Sequence, residues 1–253
     1  MKTRLVFSVV VALAAAVPSA AQQPSTGSSP GPHARVVIIA PKPGQDSAFE
    51  AGYQRHLGWH RSRQDPWTWL GWSFVLGPRL DRFMDGTFGH AAADFDHSVD
   101  PPGDGANNKV NVEPYADFLD HAVYERLDDL SRGTMLPDTS TFLVLETYAV
   151  TPGRGAAFEA AVAARRQLWP ESSPAARFTW LRLRIGGQGP QYLLLRAAPS
   201  WAAAAALPDF FEEAEEGSRT TQLPEAVVQI KQSELLRYRP TMSYHPGVRP
   251  NDD

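Results

Sequence analysis

The sequence predicts an α+β protein made of two diverged copies of one unit, because three patterns recur in the same order about 110 residues apart. Pro43-Gly44 with Ala48-Phe49-Glu50 recurs as Pro152-Gly153 with Ala157-Phe158-Glu159. Thr68-Trp69-Leu70 recurs as Thr179-Trp180-Leu181, and Thr134-Met135 recurs as Thr241-Met242. Ordered anchors with nearly constant spacing indicate a duplication.

Each copy is expected to start with a strand and a helix. Apolar, β-branched runs predict strands at residues 35–40 and 142–150. A Pro-Gly turn follows each run and leads into a predicted helix, at about 46–61 in the first copy and about 154–168 in the second.

A hairpin follows each of these helices. Its predicted strands are 68–76 and 83–92 around Gly77-Pro78 in the first copy, and 178–185 and 191–197 around the glycine-rich segment 186–189 in the second. Apolar side chains alternate along the first hairpin strand, so Leu70, Trp72 and Phe74 share one face. We expect that face to meet the helices.

A second helix is expected to close each copy. Pro114 would lie in the first turn of one helix with Gly133 after its end, and Pro224 would start the other. The acidic stretch 94–111 is expected to be a solvated loop. Segments 131–137 and 233–244 are the candidates for a fourth strand. This order matches most of the β-α-β-β-α-β ferredoxin-like unit.

The Pro-Gly turn, the helix with Ala-Phe-Glu and the Trp-bearing hairpin resemble the dimeric α+β barrel superfamily, over nearly all of residues 34–246. The resemblance implies two ferredoxin-like units packed sheet to sheet, here fused in tandem as a pseudo-dimeric barrel. The superfamily includes cofactor-free monooxygenases, isomerases, cyclases and stress-response proteins. The predicted domains are a first unit at 34–136, a second at 137–246 and a C-terminal tail at 247–253.

The N-terminus has the layout of a secretory signal peptide. Lys2 and Arg4 precede an apolar run that is too short to span a bilayer, and small residues follow as far as Ala21. We expect a signal peptide at 1–21, cleavage before Gln22 and a flexible spacer at 22–33 that is rich in Pro, Ser and Gly. The protein is therefore expected to be exported, to the periplasm or the extracellular space.

Composition excludes several kinds of chemistry and partner. The chain has no cysteine, which removes disulfides, a thiolate nucleophile and Cys-ligated metals. Its formal net charge of −4 and the lack of a basic block argue against nucleic-acid binding and against an anionic membrane surface. The expected partner is a small-molecule ligand, and a homo-oligomer is possible.

The first predicted helix carries the candidate site. Phe49, Tyr53, His56 and His60 follow one helix face, where the second copy has Phe158, Val162, Arg165 and Trp169. The resemblance implies that small molecules bind between helix and sheet. We therefore expect a polar pocket in the first copy, with Tyr53, His56 and His60 as acid/base groups and Phe49, Trp72, Phe74 and His90 as ligand-binding residues. The alternative is that the histidines are structural.

His56 and His60 also have the H-x-x-x-H spacing that can place two imidazoles on one metal ion. His90, Asp94, Asp96 and His97 are candidates for a third ligand. The motif is short and common by chance, so we assign no metal. Some tandem relatives bind haem through a histidine on a helix of the second half, but here the second copy has no histidine before His245, and we expect no cofactor.

Two functions remain open from the sequence. The first is an exported small-molecule-binding protein with a pocket in the first unit. The second is a cofactor-independent oxygenase, isomerase or cyclase that uses His56 or His60 as a base on an aromatic or polyketide-like substrate.

Overall fold

The computed structural model describes residues 30–133, 140–168, 177–211 and 227–247. Its strands are β1 (His33–Pro41), β2 (Leu70–Leu76), β3 (Phe83–His90), β4 (Ala116–Arg126), β5 (Phe142–Val150), β6 (Thr179–Ile185), β7 (Gln191–Ala198) and β8 (Val228–Tyr238). Its helices are α1 (Asp46–Ser62), α2 (Pro101–Asn111), α3 (Gly155–Leu168) and the short α4 (Trp201–Ala205).

The strands form one closed antiparallel barrel in the order β1-β3-β2-β8-β5-β7-β6-β4, with β4 returning to β1. Each half of the chain supplies four adjacent strands, β4-β1-β3-β2 and β8-β5-β7-β6, so the two halves have the same internal order. The halves meet where β2 pairs with β8 and where β4 pairs with β6. This topology confirms the predicted pair of ferredoxin-like units packed as a pseudo-dimeric α+β barrel.

The interior of the barrel is one apolar core shared by both units. Trp72, Phe74 and Met84 of the first unit pack there with Leu145, Leu193 and Leu236 of the second. The prediction that Leu70, Trp72 and Phe74 face the helices is therefore wrong. The alternation itself is present, but the sheet is covered on both sides, so apolar side chains do not distinguish the helix side from the barrel side.

The outer face of each unit packs against its helices. In the first unit, Phe49 and Tyr53 of α1 pack with Val37, Trp69 and Phe83. In the second, Phe158 and Val162 of α3 pack with Tyr148, Trp180 and Tyr192. The predicted equivalence holds: Phe49 and Phe158 lie buried on matching helices, Trp180 is the second residue of β6, and Trp69 directly precedes the matching strand β2. Trp69 itself makes an isolated bridge to Tyr244 just before β2.

Two predictions for the end of the first unit are wrong. The segment after Pro114, predicted as a helix, is strand β4, and the helix lies earlier, at α2, within the stretch expected to be a loop. The sequence of α2, PPGDGANNKVN, has poor helix propensity. It is helical because Asp100 caps its N-terminus, prolines occupy its first turn, and α1 packs against it.

The fourth strand of the second unit is β8, which overlaps the candidate 233–244, whereas residues 131–133 of the other candidate form no strand. Pro224, residues 1–29 and residues 134–137 lie outside the described residues, so the signal peptide, most of the spacer and the domain boundaries stay predictions. No helix in the described part of the chain is long and apolar enough to cross a membrane.

Candidate functional site

A cavity of about 420 Å³ lies between α1, α2 and the outer face of the first unit's sheet. Arg35 and Val37 of β1 and Asp85 of β3 form its floor. A register shift where β1 pairs with β4 places Leu119 as an extra residue, and Phe118 and His121 on either side of it both reach the cavity. The roof carries Tyr53, His56 and His60 from α1 and Asp104 and Asn108 from α2.

Helix α1 presents the three predicted acid/base residues to this cavity. Tyr53, His56 and His60 are each at most 5% exposed and follow one buried stripe. Gly44, with φ +74°, forms the turn before the helix, and Asp46 and Arg61 place charges of favourable sign at its two ends. The structure therefore brings these three side chains together as the sequence predicts.

Asp65 fixes the orientation of His60. Gln64, at φ +53°, turns the chain back after α1, and Asp65 Oδ2 lies 2.7 Å from His60 Nδ1. The carboxylate also accepts bonds from the Trp67 amide and from Trp69 Nε1. These donors outweigh burial and lower the pKa of Asp65, so it is ionised and His60 Nδ1 donates to it. The other nitrogen of His60, Nε2, is then left with its lone pair in the neutral ring.

A chain of bonds that starts at Arg55 fixes the orientation of His56. Arg55 Nε can only donate, so Asn111 Oδ1 accepts from it at 2.9 Å. Asn111 Nδ2 then donates to Asn107 Oδ1 at 3.2 Å. Asn107 Oδ1 is thereby an acceptor for His56 Nδ1, 3.0 Å away, which must carry a proton. His56 Nε2 therefore also presents a lone pair when the ring is neutral.

The free nitrogens of the two histidines point at each other and at Asp104. The two Nε2 atoms are 3.2 Å apart, and Asp104 Oδ1 lies 3.2 Å from that of His56 and 3.8 Å from that of His60. Burial and the neighbouring His60 lower the pKa of His56. Three electron-pair donors thus converge on one point in the roof of the cavity.

The floor holds a buried carboxylate. Burial raises the pKa of Asp85 to about 6, although a hydrogen bond from Tyr53 and the charge of Arg35 both act to lower it. Asp85 Oδ1 has no hydrogen-bond partner among the described residues. Burial and the charge of Asp85 raise the pKa of Tyr53 well above its usual range, so its hydroxyl stays protonated. Burial and Arg35 lower the pKa of His121.

The predicted ligand-binding residues lie elsewhere. Trp72 and Phe74 belong to the barrel core, and Phe49 packs on Tyr53 and Phe83 behind the cavity. Phe49 and Phe74 instead line a neighbouring hollow of about 350 Å³ beside Arg239. His90 bonds to Thr87 and packs on Trp67, away from the cavity lining. Of the proposed third metal ligands, none reaches the histidine pair; Asp104 does.

Sequence reasoning missed Arg35, Asp85, Asp104 and Asn107. Asp85 gave a signal that could have been read, because it shares a strand face with Phe83 and so places a charge where an apolar residue is expected. Asp104 and Asn107 were missed with α2 as a whole. The signal there was Asp100 followed by two prolines, a common start of a helix.

The second unit fills the equivalent space with aromatic rings. Phe158 packs within 5.6 Å of the ring centroids of Tyr148, Trp180 and Tyr192. Arg165, at the position of His56, is buried and donates to the carbonyl of Phe210. Trp169 lies outside the described residues. Among the described residues, the cluster of Tyr53, His56 and His60 therefore has no counterpart on α3.

Solved structures with this fold include an anthrone oxidase-like protein with a TM-score of 0.55 and 12% identity, over 87% of this chain and 96% of that one. A proposed monooxygenase from Lactobacillus acidophilus NCFM has a TM-score of 0.55 and 10% identity, over 86% of this chain and 97% of that one. Another proposed monooxygenase, from Fusobacterium nucleatum subsp. nucleatum, has a TM-score of 0.53 and 10% identity, over 82% of this chain and 93% of that one.

These likenesses show the fold alone, which is a dimeric α+β barrel, here closed by two halves of one chain. No family model matches the chain, and the comparison with curated proteins gave no match.

Proposed function

We propose that the first unit binds a small molecule in the cavity between α1, α2 and the sheet. The observation that carries this proposal is Asp85 Oδ1, a buried carboxylate oxygen without a hydrogen-bond partner in the described part of the chain. An unsatisfied buried polar group costs about 1–3 kcal/mol, and a ligand group that donates a hydrogen bond would recover part of it.

The lining defines the chemistry of the ligand. Asp85 requires a hydroxyl or a similar donor, and Arg35 on the neighbouring strand suits an oxyanion or a carboxylate. Trp69 and Phe118 supply flat apolar walls. A cavity of about 420 Å³ is within the range of small-molecule sites. A hydroxylated aromatic acid satisfies these three requirements.

Calorimetric titration with a panel of hydroxylated aromatic acids, in the presence of EDTA, tests the proposal. We expect binding to the wild type, and an affinity at least about tenfold lower in Asp85→Asn, because loss of one charged hydrogen bond costs about 1.5–3 kcal/mol. Asp117→Asn is the matched control, since its side chain is 65% exposed on β4. Equal affinities in Asp85→Asn and the wild type would contradict the proposal.

A second candidate function is proton abstraction from an acidic C–H bond of a ligand in the same cavity. A carboxylate with a pKa of about 6 is ionised at neutral pH and is a stronger base than an ordinary aspartate, and Arg35 would hold the oxyanion that forms. This differs from the sequence hypothesis of a histidine base, in which the lone pair on Nε2 of His56 or His60 would take the proton. Two solved structures with this fold are named an anthrone oxidase-like protein and a proposed monooxygenase, and an enzymatic function agrees with those names.

Exchange of ligand hydrogens with the solvent tests proton abstraction by itself, whatever reaction follows it. Anthrone, a compound that appears in the name of one similar structure, has acidic C–H bonds, and their exchange with D₂O can be followed by NMR. We expect the wild type to accelerate exchange and Asp85→Asn to lose the acceleration. Exchange that is equally fast in Asp85→Asn would assign the base to another group.

We also propose that the chain is exported and cleaved before Gln22. The charged start, the apolar run and the small residues up to Ala21 support this proposal. Expression of the full chain in a bacterial host, followed by N-terminal sequencing of the periplasmic or secreted material, tests it. Mature material that retains residues 5–17 would contradict it.

A further inference from the structure

We propose that His56, His60 and Asp104 bind one divalent transition-metal ion, of the class that prefers nitrogen and oxygen ligands, in the roof of the cavity. The three side chains come from two helices that the sequence separates by 44 residues, counted from His60 to Asp104. Their candidate ligand atoms all lie within 4.8 Å of one another.

The distances fit a metal ion rather than direct contact between the groups. The triangle formed by the two Nε2 atoms and Asp104 Oδ1 has sides of 3.2, 3.2 and 3.8 Å. A point about 2.0 Å from all three atoms exists within that triangle, and zinc bonds to imidazole nitrogen and carboxylate oxygen measure about 2.0–2.2 Å. An ion can therefore be placed with little movement of the ligands.

The hydrogen-bond network prepares these atoms for a cation. Both Nδ1 atoms donate, His60 to Asp65 and His56 to Asn107, so both Nε2 atoms present lone pairs in the neutral rings. Asp104 Oδ1 accepts one bond from Asn108 Nδ2 and has a second lone pair. Without a cation, these three acceptors would face one another.

The partners of the histidines are those that metal sites use. A ligating histidine commonly donates its other N–H to a carboxylate or a carbonyl, which fixes the ring and makes the ligand more basic. Asp65 does this for His60, and it is itself held by Trp67 and Trp69. The Asn107 amide oxygen does it for His56 and is held through Asn111 by Arg55. This supporting layer is independent of the three ligands.

The donor set selects the class of metal. Two imidazoles and one carboxylate suit Zn²⁺, Fe²⁺ or Co²⁺, whereas Mg²⁺ and Ca²⁺ prefer oxygen ligands. Three protein ligands leave a coordination position open, and all three residues line the cavity. The side chain of Asp104 is 26% exposed, which gives the ion a route of entry. The inference does not depend on the ligand proposed for Asp85.

Titration of tag-free, EDTA-treated and dialysed mature protein with Co²⁺ tests the inference through the visible absorption of the bound ion, and Zn²⁺ should then displace Co²⁺. We expect one ion per chain. His60→Gln and Asp104→Asn should each lower the affinity at least about 100-fold, and Asp65→Asn should lower it about 10–100-fold, as is usual for a residue that supports a ligand. His121→Gln, a histidine of the same cavity outside the triangle, should bind as the wild type does.

Several outcomes would overturn the inference. One is a wild type that binds no Co²⁺, which would mean that a shared proton, rather than a metal ion, lies between the three ligand atoms. Another is equal affinity in Asp104→Asn, His60→Gln and the wild type, and a third is preference for Mg²⁺ or Ca²⁺. Circular dichroism checks that each variant folds. Asp104→Asn is the variant least expected to disturb folding, because α2 has no buried residue. Binding of the aromatic panel in EDTA is measured separately, so failure of one proposal is distinct from failure of the other.

Discussion

Asp85 is the residue whose replacement should raise stability and lower function together. Its pKa of about 6 exceeds the ordinary value of 3.8, so the folded protein holds this proton more tightly than the unfolded chain. The free energy of unfolding therefore falls as the pH rises from about 4 to about 6, and the loss is complete above that window. We expect Asp85→Asn to raise the free energy of unfolding by about 1–3 kcal/mol at pH 7.5.

Urea denaturation at pH 4 and pH 7.5, in EDTA, measures this difference. The gain in Asp85→Asn should appear at pH 7.5 and vanish near pH 4, where Asp85 is protonated in the wild type as well. A gain of equal size at both pH values would show that ionisation is not its cause. If Asp85→Asn also weakens ligand binding, the carboxylate is retained at a cost in stability, which is a signature of a functional site.

At the residue scale, the sequence predicted the helix side of the site but not its sheet side. Tyr53, His56 and His60 could be found because a single helix face and a second copy for comparison define them. The alternation on β3 marks Asp85 as a charge on an apolar face, but neither Asp85 nor Arg35 could be assigned to the helix side, because that depends on which side of a doubly covered sheet meets the helices. Trp72 and Phe74 were assigned to the pocket for the same reason and lie in the barrel core.

At the element scale, the close approach of α1 and α2 holds the roof of the cavity together. A Cβ atom added at Gly52 would lie 1.9 Å from the carbonyl oxygen of Asn111, so Gly52→Ala must push α2 away. We expect a loss of about 1–3 kcal/mol in the free energy of unfolding, as is typical for overpacking. Displacement of α2 should also weaken Co²⁺ binding, because Asp104 lies on that helix.

Gly58→Ala is the matched control in the same helix. Its added Cβ atom would meet no atom within 4 Å, and alanine in a helix is about 0.5–1 kcal/mol more favourable than glycine. Gly58→Ala should therefore stabilise the protein slightly and leave metal binding unchanged. Chemical denaturation of both variants separates the two effects. Equal behaviour of Gly52→Ala and Gly58→Ala would mean that the contact with Asn111 does not constrain the helices.

Element positions were predictable where local signals agreed, and α2 shows why they failed elsewhere. The Pro-Gly turns and the apolar periodicity placed β1, α1 and both hairpins within a few residues. Helix α2 has two glycines and three asparagines in eleven residues, and its bonds to Arg55 and His56 stabilise it. Those contacts join distant parts of the chain, so no local sequence pattern predicts them. The error at α2 removed Asp104 from the predicted site.

At the scale of the whole molecule, the duplication separates two tasks. Both units contribute to the barrel core, but the first unit has a polar cavity, whereas aromatic rings fill the same space among the described residues of the second. The C-terminal segment also supports the first unit, because the hydroxyl of Tyr244 donates to the backbone of Asp65. One chain closes the barrel by itself, so a homo-oligomer, which stays a prediction, is not needed to cover the inner face of either sheet.

The seam between the units contains a buried ion pair whose rupture should destabilise the whole barrel. Glu234 of β8 is 2% exposed and accepts bonds from the Arg79 amide at 3.0 Å and from the Arg79 guanidinium at 2.8 Å. Arg79→Ala leaves this carboxylate buried without its guanidinium, so we expect a loss of about 3–5 kcal/mol in the free energy of unfolding.

Replacement of both partners is the control for the ion pair. The double variant Arg79→Ala with Glu234→Gln has no buried charge, so its loss should be smaller than that of Arg79→Ala alone, and a double-mutant cycle by urea denaturation gives the coupling. Because the strand pairs β2–β8 and β4–β6 also join the two units, unfolding should remain a single transition in every variant. Two separate transitions in Arg79→Ala would contradict this and show that the ion pair, rather than the strand pairing, couples the units.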